Sequence, residues 1–147
     1  MASSEPLAAG PAIVRTIELA AGLAVLTAQV AGRDDLAARA EALSAEVAPL
    51  GDADADAYRE YLATRSDDAL ARTIELPLRM AELAADTAEL AAEAALATES
   101  AAQGDARVGM LLAETAARAA ALLVQVNGGG GAAASATARA ARAAARL

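Results

Sequence analysis

Residues 104–131 read GDARVGMLLAETAARAAALLVQVNGGGG. Within them Val108, Leu111, Leu112, Thr115, Ala119, Leu122, Leu123 and Val126 recur every three or four positions, so they share one side of an α-helix. Asn127 and the four glycines Gly128 to Gly131 stop that helix. Outward from it, Leu70, Ile74, Leu78 and Ala81 repeat the period in a helix that Ser66 would cap and that is predicted to run to about Thr98. Pro77 lies inside that stretch and predicts a kink around Thr73 to Pro77, because it removes a backbone donor and crowds the preceding turn. Nearer the N-terminus, Ile13, Ile17, Ala20, Ala24 and Ala28, with Val14, Ala21 and Val25, predict a helix from about Pro11 to Ala31, buried on most of its circumference and central to the fold. Gly32 stops it, a more polar helix follows from Asp34 to Ala48, and the turn at Leu50 to Asp56 runs into another helix that carries Tyr58 and Tyr61 and ends near Thr64.

Composition points the same way. Of 147 residues 49 are Ala, the best helix former and a poor strand former, which effectively excludes sheets and favours closely approaching helices. The reading is an all-α, single-domain helical bundle of about five to six helices with a Pro-kinked long helix. Residues 1–10 form a flexible lead, 11–127 the bundle, 128–131 a glycine hinge, and 132–147 an Ala/Arg helix or tail. That tail could pack as a cap or become ordered on assembly.

The composition also removes whole classes of chemistry. With no Cys and no His there are no disulfides, no thiol nucleophile, no Ser-His pair and no zinc site of the usual ligands. Asp52, Asp54 and Asp56 open like a calcium loop, but Ala57 and Ala63 stand where that loop needs Gly and Glu, so no metal site is assigned. Gly128 to Gly131 follow a helix and lack the G-K-[ST] ending of a phosphate loop. A net charge of −8, from 20 acids and 12 Arg, disfavours nucleic acid and anionic membranes as partners. The uncharged run Leu19 to Gly32 is short for a bilayer, and no basic segment precedes an apolar one at the N-terminus, so a cytoplasmic protein is expected. Arg without Lys, beside so much Ala and Gly, suggests GC-rich coding of the actinobacterial kind.

Acid–base chemistry is left to Asp, Glu, Tyr and water. Asp54 and Tyr58, four apart, share a helix face, where they could meet a substrate or Tyr58 could bond within its own helix. Asp105 suits an N-cap or, alternatively, a carboxylate turned into a cleft. Glu75, Arg79 and Glu82 have the spacing of a surface ion-pair ladder.

Four stretches taken in order carry a resemblance: Asp52-Ala53-Asp54-Ala55-Asp56-Ala57-Tyr58; Thr73-Ile74-Glu75-Leu76-Pro77-Leu78; Gly104-Asp105-Ala106-Arg107-Val108-Gly109-Met110-Leu111-Leu112; and Val124-Gln125-Val126-Asn127. Together they resemble the cyclodeaminase/cyclohydrolase family, whose pattern runs D-x-D-A-x-A-Y, T-x-x-P-L, S-D-x-x-V-A-x-x-L and V-x-I-N. The resemblance implies a homodimeric all-α bundle acting on a one-carbon unit of tetrahydrofolate, by methenyl hydrolysis or formimino deamination, with folate as substrate and no covalently bound cofactor. It implies Asp105 as the catalytic carboxylate with Asp54 and Tyr58 beside it, and Asn127, Arg79 and Gly10 as substrate-binding residues. The chain departs from the family where Pro-Gly-Gly-Gly-Ser is replaced by Ala9-Gly10-Pro11-Ala12-Ile13, and Gly104 stands in place of Ser. Two other readings follow from that departure. One is recruitment to iminium-type C–N or C–C cyclisation in secondary metabolism. The other is a non-catalytic dimeric binding protein, with the Arg-only tail docking on the acidic body of a partner subunit.

Overall fold

Helical period, capping and alanine content produce six helices in the computed structural model, which describes residues 8–147: α1 (Ala9–Val30), α2 (Asp34–Val47), α3 (Leu50–Thr64), α4 (Asp67–Leu96), α5 (Ala102–Val126) and α6 (Ala134–Ala145). Residues 1–7 of the expected lead lie outside the described residues, and its last two, Ala9 and Gly10, already belong to α1. Pro11 falls in the first turn of α1, where an N–H has no intrahelical partner to lose. Ser66 caps α4 as expected, its Oγ accepting from the Ala69 N–H at 3.1 Å. Helix α5 starts at Ala102, two residues before Gly104, so Asp105 sits in its first turn and is not the N-cap.

Helices α1, α4 and α5 pack on one another and form the core, with α2 and α3 on α1 and α4, and α6 on α4 and α5. The core is built largely of alanine: Ala20, Ala24, Ala84, Ala88, Ala91, Ala113, Ala117 and Ala120 are wholly buried, around a few larger side chains such as Ile17, Met80, Leu83, Leu90 and Val124. Small side chains let the backbones approach. At Gly109 an added Cβ would lie 3.0 Å from the Ala20 carbonyl oxygen of α1. Gly109→Val should therefore destabilise the chain by about 1–3 kcal/mol through overpacking, read as a lower urea midpoint. An unchanged midpoint would mean that α1 and α5 are not held this close.

The connections set the two ends of the bundle. Thr27, buried near the end of α1, places its hydroxyl 2.8 Å from the Ala102 carbonyl at the start of α5. Gln103 closes the α4–α5 turn by donating to the Ala95 and Thr98 carbonyls, both at 3.0 Å. The opposite end gathers the start of α1, α3, the first turns of α4 and the end of α5. As helices α1 and α5 are long and apolar enough to cross a membrane by length and composition, which the 14-residue uncharged run did not suggest, yet each buries one side against the bundle.

The glycine run is a packed turn. Gly129 donates its N–H to the Val124 carbonyl at 2.8 Å, and a Cβ there would come within 2.7 Å of both Ile74 and Val124 side-chain carbons. It delivers α6 back onto α4, where Ala136, Ala140 and Ala143 are buried. Arg139 makes a bidentate pair with Glu89, at 3.0 and 2.7 Å, and also meets Asp86. The tail thus caps its own bundle. Of the two roles expected for the tail, the packed cap is the one seen within the chain, with the acids of α4 as its partners.

Candidate functional site

A cleft of about 350 Å³ opens at the end of the bundle where α1, α3, α4 and α5 meet, lined by Gly10, Asp54, Tyr58, Arg59, Thr73, Leu123 and Asn127 among others. A wider groove of about 780 Å³ between α5 and α6 is mostly alanine and glycine walled, and its charged side chains, Glu114 and Arg118, lie towards solvent. A further pocket of about 360 Å³ between α2, α4 and α6 is lined by Arg39, Glu89, Glu93, Arg139, Arg142 and Arg146, largely ions that pair with one another; the end cleft holds a carboxylate, Asp54, without an ion partner among the described residues.

Asp54 is the centre of that cleft. Helix α3 begins directly after Pro49, and its second and third turns carry Asp54 and Tyr58 one above the other on the side facing the cleft. The Asp54 carboxylate lies so close against the first turn of α1 that a Cβ on Gly10 would stand 2.2 Å from Oδ2 and 2.8 Å from Cγ. Any side chain there would occupy the carboxylate's place. Burial pushes the Asp54 pKa above the ordinary aspartate value, with no cation or hydrogen bond among the described residues offsetting it. The nearby Arg59 is paired with Asp56 at 2.6 Å in an exposed position.

Tyr58 lines the cleft but is about half exposed, its ring forming one side of the mouth. Asn127, the C-cap of α5, reaches across to α4 and donates its amide Nδ2–H to the Thr73 carbonyl at 2.7 Å. Gly10, Asp54, Tyr58 and Asn127 are therefore brought together. Two other candidates are not.

Arg79 points to the far side of α4, where it pairs with Glu82 at 3.0 Å and with Glu46 of α2, the ion-pair role its spacing suggested, away from the cleft. Asp105 lies at the other end of α5, 22 residues from Asn127, or about 33 Å along the helix axis. Within one chain it cannot share a site with Asp54. Sequence reading missed Thr73 and Leu123 as cleft residues, although Thr73 opens the T-x-x-P-L stretch and its position four before Pro77 was a usable signal.

The end cleft of this all-α bundle thus brings together a half-buried carboxylate, a phenol and an amide, groups that can bind a cation and exchange protons. The formiminotransferase-cyclodeaminase family model matches residues 15–131, and the chain belongs to that family. No curated protein matches the chain.

Proposed function

We propose that the chain is a cyclodeaminase/cyclohydrolase-type enzyme that acts on an amidinium one-carbon unit carried between folate nitrogens. The observation that carries this reading is Asp54, a carboxylate without a cation partner among the described residues, held in a cleft and pressed against Gly10. A carboxylate so placed attracts a cation, and an amidinium is a planar cation with its charge on the group that reacts.

The same residue can move the proton. In deamination the second folate nitrogen attacks the formimino carbon, a C–N bond forms, and the nitrogen must lose its proton while the departing amine gains one before the old C–N bond breaks. Asp54 takes the first proton and returns it to the leaving ammonia, so the carboxylate ends as it began. In hydrolysis water attacks the methenyl carbon and a C–O bond forms as Asp54 accepts a water proton; one of the two bridge C–N bonds then breaks, leaving a formyl group on the other nitrogen, and one proton is released overall. Tyr58 at the mouth offers a donor or a ring face to the bound heterocycle. The cleft volume suits the reacting end of a folate, near the lower limit for small-molecule sites, and leaves the remainder of such a ligand outside.

A second copy supplies the missing enclosure. Leu19, Leu26 and Val30 on α1, and Val108, Leu111, Leu122 and Val126 on α5, are large apolar side chains left exposed on two adjacent helices. Stripes of this kind mark interfaces. An antiparallel pairing of two such α5 stripes about a twofold axis midway between Asp105 and Asn127 would bring the partner's Asp105 to the level of Asn127. This keeps a role for Asp105 that a single chain does not allow.

The test is direct. Purified protein is mixed with 5,10-methenyltetrahydrofolate, whose absorbance falls on hydrolysis, and separately with 5-formiminotetrahydrofolate, whose cyclisation makes the same chromophore appear. Acceleration of either above a buffer blank is expected, with loss in Asp54→Asn. No acceleration of either would sink the folate reading and favour iminium cyclisation on a different carbon skeleton, for which the altered first-helix loop, Ala9-Gly10-Pro11-Ala12-Ile13, reshapes the mouth.

A further inference from the structure

Pro77 and Asn127 solve one problem between them. In a regular helix the N–H of residue 77 would bond the carbonyl of residue 73, and proline has no N–H to give. Thr73 is buried, so its carbonyl needs a donor from elsewhere, and its own hydroxyl is turned back to the Leu70 carbonyl at 2.7 Å. Asn127 Nδ2, arriving from the end of α5, supplies that donor at 2.7 Å. Helix α4 consequently continues unbroken through Pro77 from Asp67 to Leu96.

A carbonyl oxygen can only accept, which settles how the Asn127 amide is turned: nitrogen toward Thr73, oxygen away. That oxygen accepts no hydrogen bond among the described residues and is not a fully buried unpaired atom, so it is left with capacity to accept. Asn127 lines the cleft, on whose wall Asp54 also stands.

We propose that Asn127 is a positioning residue that replaces the N–H missing at Pro77, fastens the end of α5 to α4, and by that attachment presents its amide oxygen to the cleft as an acceptor for an N–H of the ligand. The last part rests on the reading of the cleft given above and sharpens it. A formimino group carries an N–H on the reacting unit, and a methenyl bridge does not. With an anion at Asp54 and a fixed acceptor at Asn127, the cleft is complementary to a cation that also donates. Deamination is thereby favoured over methenyl hydrolysis.

The attachment is tested by a double-mutant cycle on the full chain. Asn127→Leu is made in the natural background and in Pro77→Ala, where residue 77 regains an N–H able to bond Thr73. The expected result is a fall in Tm of about 3 °C or more with Pro77 present, and less than half that fall in Pro77→Ala. Equal falls in both backgrounds overturn the attachment, whatever the chain catalyses. The acceptor is tested by kinetics in the natural background, where the attachment is intact: Asn127→Leu should raise KM for 5-formiminotetrahydrofolate about tenfold, the effect of one lost hydrogen bond. The same variant should raise KM for 5,10-methenyltetrahydrofolate by a clearly smaller factor, because that bridge has no N–H to lose. Equal losses on both substrates overturn the acceptor role. If neither substrate turns over in any variant, the folate reading and the acceptor role built on it both fail, and the stability cycle decides the attachment alone.

Discussion

Asp54→Asn should lower kcat/KM by about 10²- to 10⁴-fold, the range for removal of a positioned acid–base group, while raising the melting temperature at neutral pH. The two effects have one cause. Burial against Gly10 and α1 raises the carboxyl pKa, so the folded chain holds the Asp54 proton more tightly than the unfolded chain does. A group whose folded pKa is raised contributes stability that is complete below its unfolded value, about 3.9, and is lost as pH rises through the folded value. At pH 7.5 the natural protein therefore carries the cost of a charged, unpaired carboxylate, and the asparagine variant does not. The Tm advantage of the variant should be a few degrees at pH 7.5 and should vanish near pH 3.5. In the active enzyme the same shift places the acid limb of kcat/KM above the ordinary aspartate range, since the carboxylate form is the one that attracts the cation and accepts the proton. A variant with full turnover, or one that is less stable at neutral pH, would remove Asp54 from the centre of the site.

Much of this architecture was legible because it rests on local signals. The period of Val108 to Val126, the stop at Gly128, the cap at Ser66 and the acids that open α4 are statements about neighbours in sequence, and the structure keeps each of them. The start of α5 was placed two residues late because Ala101 and Ala102 carry no capping side chain, and the turn before them is held instead by Gln103 reaching back to Ala95 and Thr98. Such contacts leave no pattern in composition.

The site divides in the same way. Asp54 and Tyr58 were found because a four-residue spacing on a helix fixes their mutual position. Gly10 was seen as the surviving loop glycine, but its reason, the carboxylate lying on its Cα, belongs to a residue 44 positions on. Pro77 was read correctly as a lost donor, whereas the group that replaces it comes from the end of α5. Arg139 likewise found its acids across a 50-residue separation. A single chain motif also could not tell that Asp105 and Asp54 lie at opposite ends of the bundle. Motifs give residue types in order, and only the packing of α5 antiparallel to α1 and α4 turns that order into distance.

That separation makes the second large effect a property of the assembly. Leu111→Asp places a charge in the exposed stripe of α5; if that stripe is covered by a second copy, the carboxylate is buried without a partner, once from each subunit. The cost of about 3–5 kcal/mol per buried unpaired charge corresponds to a loss of about 10³-fold or more in dimer affinity, visible by sedimentation equilibrium as a monomer at micromolar concentration. Turnover should fall with it, although Asp54, Tyr58 and Asn127 are untouched. Complementation then identifies the reason. Asp54→Asn and Asp105→Ala homodimers are each expected to be inactive, but when their subunits are exchanged, half of the dimers are mixed. In a shared site, each mixed dimer holds one cleft with an intact Asp54 from one chain facing an intact Asp105 from the other. About a quarter of natural activity should return on random exchange. A site made within one chain gives no such recovery, because every cleft would then carry one of the two lesions. Recovery would show that the distance along α5 is closed by the twofold axis. Its absence in verified mixed dimers would leave Asp105 as a first-turn acid that serves the α5 macrodipole, and Asp54 as the carboxylate that works alone.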